Sequence, residues 1–136
     1  ERTDVGAPGT LIALRNDAAQ PGRFVAVQQL AMAVHASACT AADVDVDARL
    51  DVVTSGAGVA PNLFDDSVET SLNVAGALAA PVQTVTRDTA SGYHLAVAPL
   101  YGGARPEAVM PYRGGVLILE PDALRPGGFV RGPALR

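Results

Sequence analysis

The chain has 136 residues, of which 49% are hydrophobic and 18% are charged. This composition is too apolar for an intrinsically disordered chain, and the length suits one hydrophobic core rather than two. Ten arginines, without any lysine, stand against fourteen acidic residues and give a net charge of −4, which argues against direct contact with nucleic acid. The apolar runs are much shorter than the roughly 18 residues of a membrane-spanning segment, so no membrane insertion is expected.

The first predicted elements are a strand and a helix. An apolar run at 10–14 predicts the strand. In the segment 23–39, Val27, Leu30 and Val34 recur at intervals of three and four residues, which is the spacing of one helix face. A pair of strands is the alternative, but the segment has no Gly, Asn or Asp to supply a turn. The abundance of alanine, glutamine and leucine therefore favours the helix.

The central part of the chain predicts a β element followed by a second helix. Valine and leucine alternate with aspartate along 42–54, as in a half-buried strand. A turn at 47–49 would make this element a hairpin, so one long strand and two short strands both fit the pattern. In 65–80, Val68 and Leu72 return to helical spacing, and the aspartates that begin the segment suit a helix N-terminus.

The last third of the chain predicts three strands, at 81–87, 93–101 and 116–120, with a loop at 102–115. Links of hairpin length join strands in antiparallel pairs, because a parallel crossover needs a longer connection. Helices that cover one face of such a sheet give a two-layer α+β domain. The predicted fold class is therefore α+β, an antiparallel sheet with helices packed on one face.

The predicted organisation is a flexible lead-in at 1–8, a single domain at 9–122 and a Pro/Gly-rich tail or linker at 123–136. Cys39 is the single cysteine of the chain, which excludes an internal disulfide and a zinc site built from several cysteines. It leaves the compartment open, with a cytoplasmic location favoured over an extracytoplasmic fragment.

The histidines and the cysteine do not form an evident catalytic set. His35 and Cys39 are four residues apart in the first predicted helix, a spacing compatible with a shared metal ion or a thiol–imidazole pair. A partly buried histidine beside a small buried thiol is the favoured interpretation. His94 lies on a predicted strand, where we expect it to be exposed to solvent. Because no acid, base and nucleophile converge, the sequence predicts neither catalytic residues nor an enzyme.

Four aspartates in the central β element have a spacing that suggests a cation-binding loop. They are Asp43, Asp45, Asp47 and Asp51. A calcium loop of the EF-hand type also needs a central glycine and a bidentate acid at its end, and both are missing here. Strand alternation explains the spacing without a metal ion, so we expect a solvated strand face and no metal site.

The segments 91–100 (SGYHLAVAPL) and 114–121 (GGVLILEP), joined by a glycine-containing loop, resemble the closing strands of PAS and GAF sensory domains. The resemblance extends over about residues 46–122, and it includes no cofactor-attachment motif of either family. It implies a two-layer α+β domain that binds a small ligand or mediates dimerisation. The cofactor stays unknown.

By this resemblance, the first hypothesis is a non-enzymatic sensory or regulatory domain of a bacterial signalling or transcription-regulating protein. A small-molecule ligand would occupy an apolar pocket, and the domain would form a homodimer. From the expected facing of the elements, the residues that would line this pocket are Met32, His35, Val97, Tyr101 and Ile118. The alternative is a structural or assembly domain that packs into a larger complex through an exposed Ala/Val-rich face.

Overall fold

In the computed structural model, the described residues are 9–33, 35–59, 62–86, 94–112 and 115–135, and the regular elements in them are all β-strands. The strands are β1 Thr10–Asn16, β2 Phe24–Ala31, β3 His35–Ala42, β4 Asp51–Val59, β5 Asn62–Ser71, β6 Asn73–Val74, β7 Ala77–Leu78, β8 Val82–Val85, β9 Ala96–Ala98, β10 Glu107–Tyr112, β11 Gly115–Pro121 and β12 Phe129–Leu135. The α+β prediction is therefore wrong, because the described part of the chain is an all-β fold. None of its residues belongs to a helix long and apolar enough to cross a membrane.

Two four-stranded antiparallel sheets form the body of the domain. The first sheet has the order β3-β4-β5-β8, and the second has the order β12-β11-β10-β9. Two further antiparallel pairs, β1-β2 and β6-β7, stand apart from these sheets. One hydrophobic cluster takes side chains from both large sheets, as expected when two sheets pack face to face. Its buried members are Val44, Val53, Val68, Ala108, Met110, Leu117, Leu119 and Phe129.

From Asp66 to Ser71, the central strand β5 is buried on both of its faces. Val68 and Thr70 lie opposite Ser55 and Val53 of β4 and share the core side of the sheet. Glu69 has the opposite parity, yet it is only 2% exposed. Its Oε1 accepts a hydrogen bond of 2.9 Å from the backbone N–H of Ala33, so Ala33 lies against the outer face of the first sheet.

The helix predicted at 23–39 is wrong, because the segment forms β2 and β3. These two strands belong to different sheets and do not pair with each other. The connection between them therefore needs no tight turn, which explains why the segment lacks turn residues. Val27, which the helical spacing assigned to the buried face, is 51% exposed.

The helix predicted at 65–80 is also wrong, because the segment forms the end of β5 and the β6–β7 hairpin. The hairpin turns at Ala75 and Gly76, which have positive φ angles of 54° and 90°. Two successive positive φ angles are typical of the tight turns that join paired strands. The Gly76 N–H also donates to Asn73 Oδ1 at 2.9 Å, so the turn is stabilised from within.

Several predicted strands are confirmed. The runs at 10–14 and 116–120 lie in β1 and β11. The β element predicted at 42–54 is wrong over 43–50, which form the connection between the antiparallel strands β3 and β4. The strand at 93–101 is reduced to β9, and the predicted loop at 102–115 contains the six-residue strand β10. Antiparallel pairing is present, but not between the predicted strands, because β8 lies in the first sheet and β10 separates β9 from β11.

The folded domain extends beyond residue 122. Within the segment assigned to a tail, β12 pairs with β11, and Phe129 is 1% exposed in the core. The Phe129 N–H donates to Thr84 Oγ1 at 3.0 Å, and this hydroxyl lies 3.3 Å from the Phe129 carbonyl oxygen. Arg125 donates to the carbonyl oxygen of Gln83 at 3.1 Å. These bonds join β8 of the first sheet to the start of β12 in the second. The lead-in predicted at 1–8 lies outside the described residues.

Candidate functional site

The β1–β2 hairpin presents large apolar side chains to solvent. Leu14 lies opposite Ala26, and Asn16 lies opposite Phe24, so these residues share one face of the hairpin. Ile12 has the same parity as Leu14 on β1. We call Ile12, Leu14, Phe24 and Ala26 the hairpin face. Its three large side chains are 48%, 58% and 62% exposed, in chain order, whereas Leu11 and Leu30 on the opposite face are half-buried.

The first half of the β1 edge lacks the usual protection against pairing with another strand, whereas the second half carries the exposed Arg15. Among the described residues, β1 pairs with β2 alone. Edge strands commonly carry a lysine, a proline or an inward-pointing charge that discourages association. The segment 10–14 (TLIAL) contains none of these. An apolar face beside an open edge is typical of a surface that meets another protein.

Two contacts attach the segment that contains β1 and β2 to the rest of the domain, one to β7 and one to β5 of the first sheet. The Gln28 side-chain amide donates to the Leu78 carbonyl oxygen at 2.5 Å and accepts the Leu78 N–H at 2.8 Å. This pair of bonds imitates the pairing of two strands and connects β2 with β7. The second contact is the hydrogen bond from Ala33 to the buried Glu69 carboxylate. Both contacts leave the hairpin face exposed.

The end of the hairpin is weakly basic. Arg15 in β1 and Arg23 just before β2 are exposed, and Arg23 donates to the Gln20 side chain at 2.9 Å. Asp17 lies in the turn between them, where its Oδ1 accepts the N–H of Ala19. The two arginines and the one aspartate give residues 9–33 a net charge of +1, opposite in sign to the whole chain.

The sequence predicted that the four aspartates of the central element lie on one strand face, and this prediction is wrong. The first three lie in the connection between β3 and β4, and Asp51 begins β4. Both oxygens of Asp43 accept hydrogen bonds of 2.9 Å from the backbone N–H groups of Asp47 and Ala48. The oxygens of the fully buried Asp51 accept bonds of 2.8 Å from Val44 and from the β6 backbone. The hydrogen bonds of Asp43 and Asp51 therefore stabilise the conformation of the connection between β3 and β4.

The carboxylates of Asp43, Asp45 and Asp51 lie close together, each offering an oxygen within 4.8 Å of the others. Carboxylate oxygens are the ligand type that Ca²⁺ and Mg²⁺ prefer. Desolvation, followed by the charges of Asp51, Asp47 and Asp43, raises the pKa of Asp45, and Arg49 opposes this effect. Asp43 and Asp51 bind backbone N–H groups, so the folding of the connection accounts for these two carboxylates, and we assign the cluster no metal ion.

The same connection also exposes apolar side chains. We call residues 43–51 the acidic loop; four aspartates and one arginine give it a net charge of −3. Val46 and Leu50 are 48% and 63% exposed. Val46 and Ala48 both have a φ of 65°, a conformation that costs a non-glycine residue roughly 1–2 kcal/mol. Arg49 forms an ion pair with Asp47 and donates to the Asn73 carbonyl oxygen at 2.7 Å, which fixes the loop further.

The five residues predicted to line a ligand pocket do not lie together. Met32 is buried beside the end of β2, whereas His35 is exposed at the start of β3 and Tyr101 is 57% exposed after β9. Val97 packs against the core cluster. Ile118 is 4% exposed but lies on the opposite face of the second sheet, because Val97 and Ile118 pair with adjacent residues of β10. One pocket wall in that sheet therefore cannot hold both side chains.

The other candidate residues are separated or exposed. His35 and Cys39 lie on β3 rather than on a helix, and both are exposed. Partial burial raises the pKa of the Cys39 thiol, which makes the thiolate less available at neutral pH. His94 is exposed before β9, as expected. Among the described residues, these side chains form no acid, base and nucleophile arrangement.

Sequence reasoning missed the hairpin face. The shared parity of Ile12 and Leu14 could have indicated it. The segment that contains Phe24 was predicted to be a helix, so its pairing with β1 was not expected. The α+β arrangement that the PAS and GAF resemblance implied is absent from the described residues. Comparisons of the chain with models of protein families, with curated proteins and with solved structures found no match.

Proposed function

We propose that the chain is a non-enzymatic assembly domain that associates with a second copy of itself through the hairpin face. The observation that carries this proposal is the exposure of Ile12, Leu14 and Phe24 on one side of a hairpin whose β1 pairs, among the described residues, with β2 alone. Burial of apolar surface contributes about 25 cal/mol per Å². A face of this kind therefore gains free energy when another protein surface covers it.

Charge supports a second copy as the partner. Residues 9–33 carry +1, and the whole chain carries −4, so the remainder carries −4 − (+1) = −5. The hairpin of one copy is therefore attracted to the body of another, and this complementarity orients the encounter. Ligand sensing, the first hypothesis from the sequence, gains no such support, because the residues expected to line its pocket lie apart. The assembly alternative is the better supported of the two.

Leu14→Glu is expected to weaken self-association by at least about tenfold, because it replaces a buried apolar contact with a charge. Sedimentation velocity over a range of protein concentrations measures this effect. The wild-type sedimentation coefficient should rise with concentration, while that of Leu14→Glu should stay at the monomer value. Leu14 is 58% exposed, so the variant should keep the far-UV circular dichroism spectrum of the wild type.

Leu124→Glu is the matched control. Leu124 is 94% exposed in the turn between β11 and β12 and is not part of the hairpin face. The same change of side chain should therefore leave association at the wild-type level. The proposal is wrong if the wild type stays monomeric at every concentration, or if the two variants associate equally well.

A further inference from the structure

We propose that the acidic loop binds a proton at Asp45, whose carboxyl takes it up from mildly acidic solvent and donates it in a hydrogen bond to the carboxylate of Asp43 or Asp51. The proton supplies a hydrogen bond that the ionised loop lacks, so the loop is held more firmly in acid than at neutral pH. This device is separate from the hairpin face and does not depend on the proposed self-association.

Three carboxylates of the acidic loop lie close enough for their charges to repel one another. Asp43, Asp45 and Asp51 each offer an oxygen within 4.8 Å of the others. Carboxylates at such distances disfavour full ionisation and titrate as a coupled group. Arg49, the cation of the loop, forms an ion pair with Asp47, so it offsets this repulsion only in part.

Hydrogen bonding selects Asp45 as the carboxyl that takes the proton. Both oxygens of Asp43 accept backbone N–H groups at 2.9 Å, and both oxygens of Asp51 accept them at 2.8 Å. Such donors favour the ionised form of a carboxyl. In contrast, Asp45 Oδ1 is buried and has no hydrogen-bond partner among the described residues. A buried oxygen without a donor favours the neutral form, so Asp45 gains most from a proton.

The neighbouring carboxylates can accept the hydrogen bond that a protonated Asp45 would donate. An ionised carboxylate has about four acceptor sites, and the bonds to the backbone use one site on each oxygen of Asp43 and Asp51. A hydrogen bond from a carboxyl O–H to a carboxylate is charge-assisted and therefore strong. It would also link Asp45 to the two residues that stabilise the conformation of the loop.

The surroundings of Asp45 set the direction of the pH dependence. Desolvation is the largest cause that raises the pKa of Asp45, and the negative charge of Asp51 is the next. Asp47 and Asp43 raise this pKa too, whereas Arg49 lowers it. Because the pKa of Asp45 is higher in the folded than in the unfolded chain, folding binds a proton. The stabilisation is therefore present below the ordinary pKa of aspartate and is lost as the pH rises through the raised pKa.

Asp45→Asn tests the inference, because asparagine is neutral, has nearly the same size and can donate a hydrogen bond, like the protonated carboxyl. At pH 7 the variant should unfold at a temperature about 2–4 °C higher than the wild type. This advantage should shrink toward about pH 4, near the ordinary pKa of aspartate, where the wild type carries the proton itself. Differential scanning calorimetry at a series of pH values measures the difference.

Asp47→Asn is the matched control. It removes one negative charge from the same loop, but Asp47 has an ion-pair partner in Arg49 and also accepts the Arg49 backbone N–H at 2.9 Å. It should therefore bring no gain at pH 7. Equal gains for the two variants would show that net charge alone matters and would overturn the inference. An advantage of Asp45→Asn that is absent at pH 7, or undiminished at pH 4, would overturn it too.

A carbon-13 NMR titration of the wild-type side-chain carboxyls shows which residue binds the proton. The pKa of Asp45 should lie above that of an ordinary aspartate, and its titration should shift the carboxyl resonance of Asp43 or Asp51. An ordinary or lowered pKa for Asp45 contradicts the inference. Melting in calcium chloride adds a further test. If calcium raised the unfolding temperature of the wild type but not of Asp45→Asn, the cluster would be a cation site, and the inference would be wrong.

Discussion

Replacing Phe129 with alanine is expected to lower the free energy of unfolding by about 3–5 kcal/mol. Phe129 is 1% exposed and belongs to the hydrophobic cluster that joins the two large sheets. Its removal leaves a cavity at the start of β12, where the Thr84 hydroxyl bonds both the N–H and the carbonyl oxygen of the same residue. Urea denaturation followed by far-UV circular dichroism measures the loss.

Val130→Ala provides a control on the same strand. Val130 is the next residue along β12 and is 44% exposed, so its truncation should cost less than about 1 kcal/mol. The comparison separates core packing from any general sensitivity of the C-terminal segment. Equal losses for the two variants would show that β12 is a loosely attached tail rather than part of the core.

Asp51→Asn is expected to lower the free energy of unfolding by about 3 kcal/mol, because a buried carboxylate loses one of two charge-assisted hydrogen bonds. Asp51 is fully buried, and its two oxygens accept the backbone N–H groups of Val44 and Asn73. An asparagine keeps one acceptor and turns an NH₂ group toward the other N–H. Either Val44 or Asn73 would then be left as a buried donor without a partner.

Asp17→Asn is the control for this substitution. Asp17 caps the turn between β1 and β2 with a single oxygen that accepts the N–H of Ala19, and asparagine can supply the same acceptor. Its expected cost is below about 0.5 kcal/mol. Thermal unfolding of the two variants in the same buffer compares them, and a similar midpoint for both would mean that the Asp51 carboxylate does not organise the acidic loop.

Strands that carry their own local signal were predictable from the sequence. The run from Val116 to Leu119 is apolar and continuous, and it lies between a Gly pair and Pro121, so its character does not depend on distant residues. Strand β3, with the sequence HASACTAA, is different. Alanine favours helices in isolation, and its place in a sheet depends on pairing with β4, which a local pattern does not contain. Strand β10 was not predicted, because it contains Pro111 and proline is unusual within a strand.

The candidate surfaces were less predictable than the strands. Whether Leu14 is exposed depends on what the remaining chain places over β1, and only the tertiary structure shows that. The aspartates were recognised as unusual, but their alternation was interpreted as a strand. The signal that was missed is turn chemistry: Asp43 accepts N–H groups four and five residues ahead, and aspartate commonly stabilises turns in this way.

Hydrogen–deuterium exchange at increasing protein concentration tests the central claim, self-association through the hairpin, most directly. Amides in β1 and β2 should exchange more slowly as the concentration rises, because association covers them. Amides in β10 and β11, in the body of the second sheet, should exchange at the same rate throughout. Unchanged exchange in β1 and β2 across a concentration range in which the sedimentation coefficient rises would contradict the account.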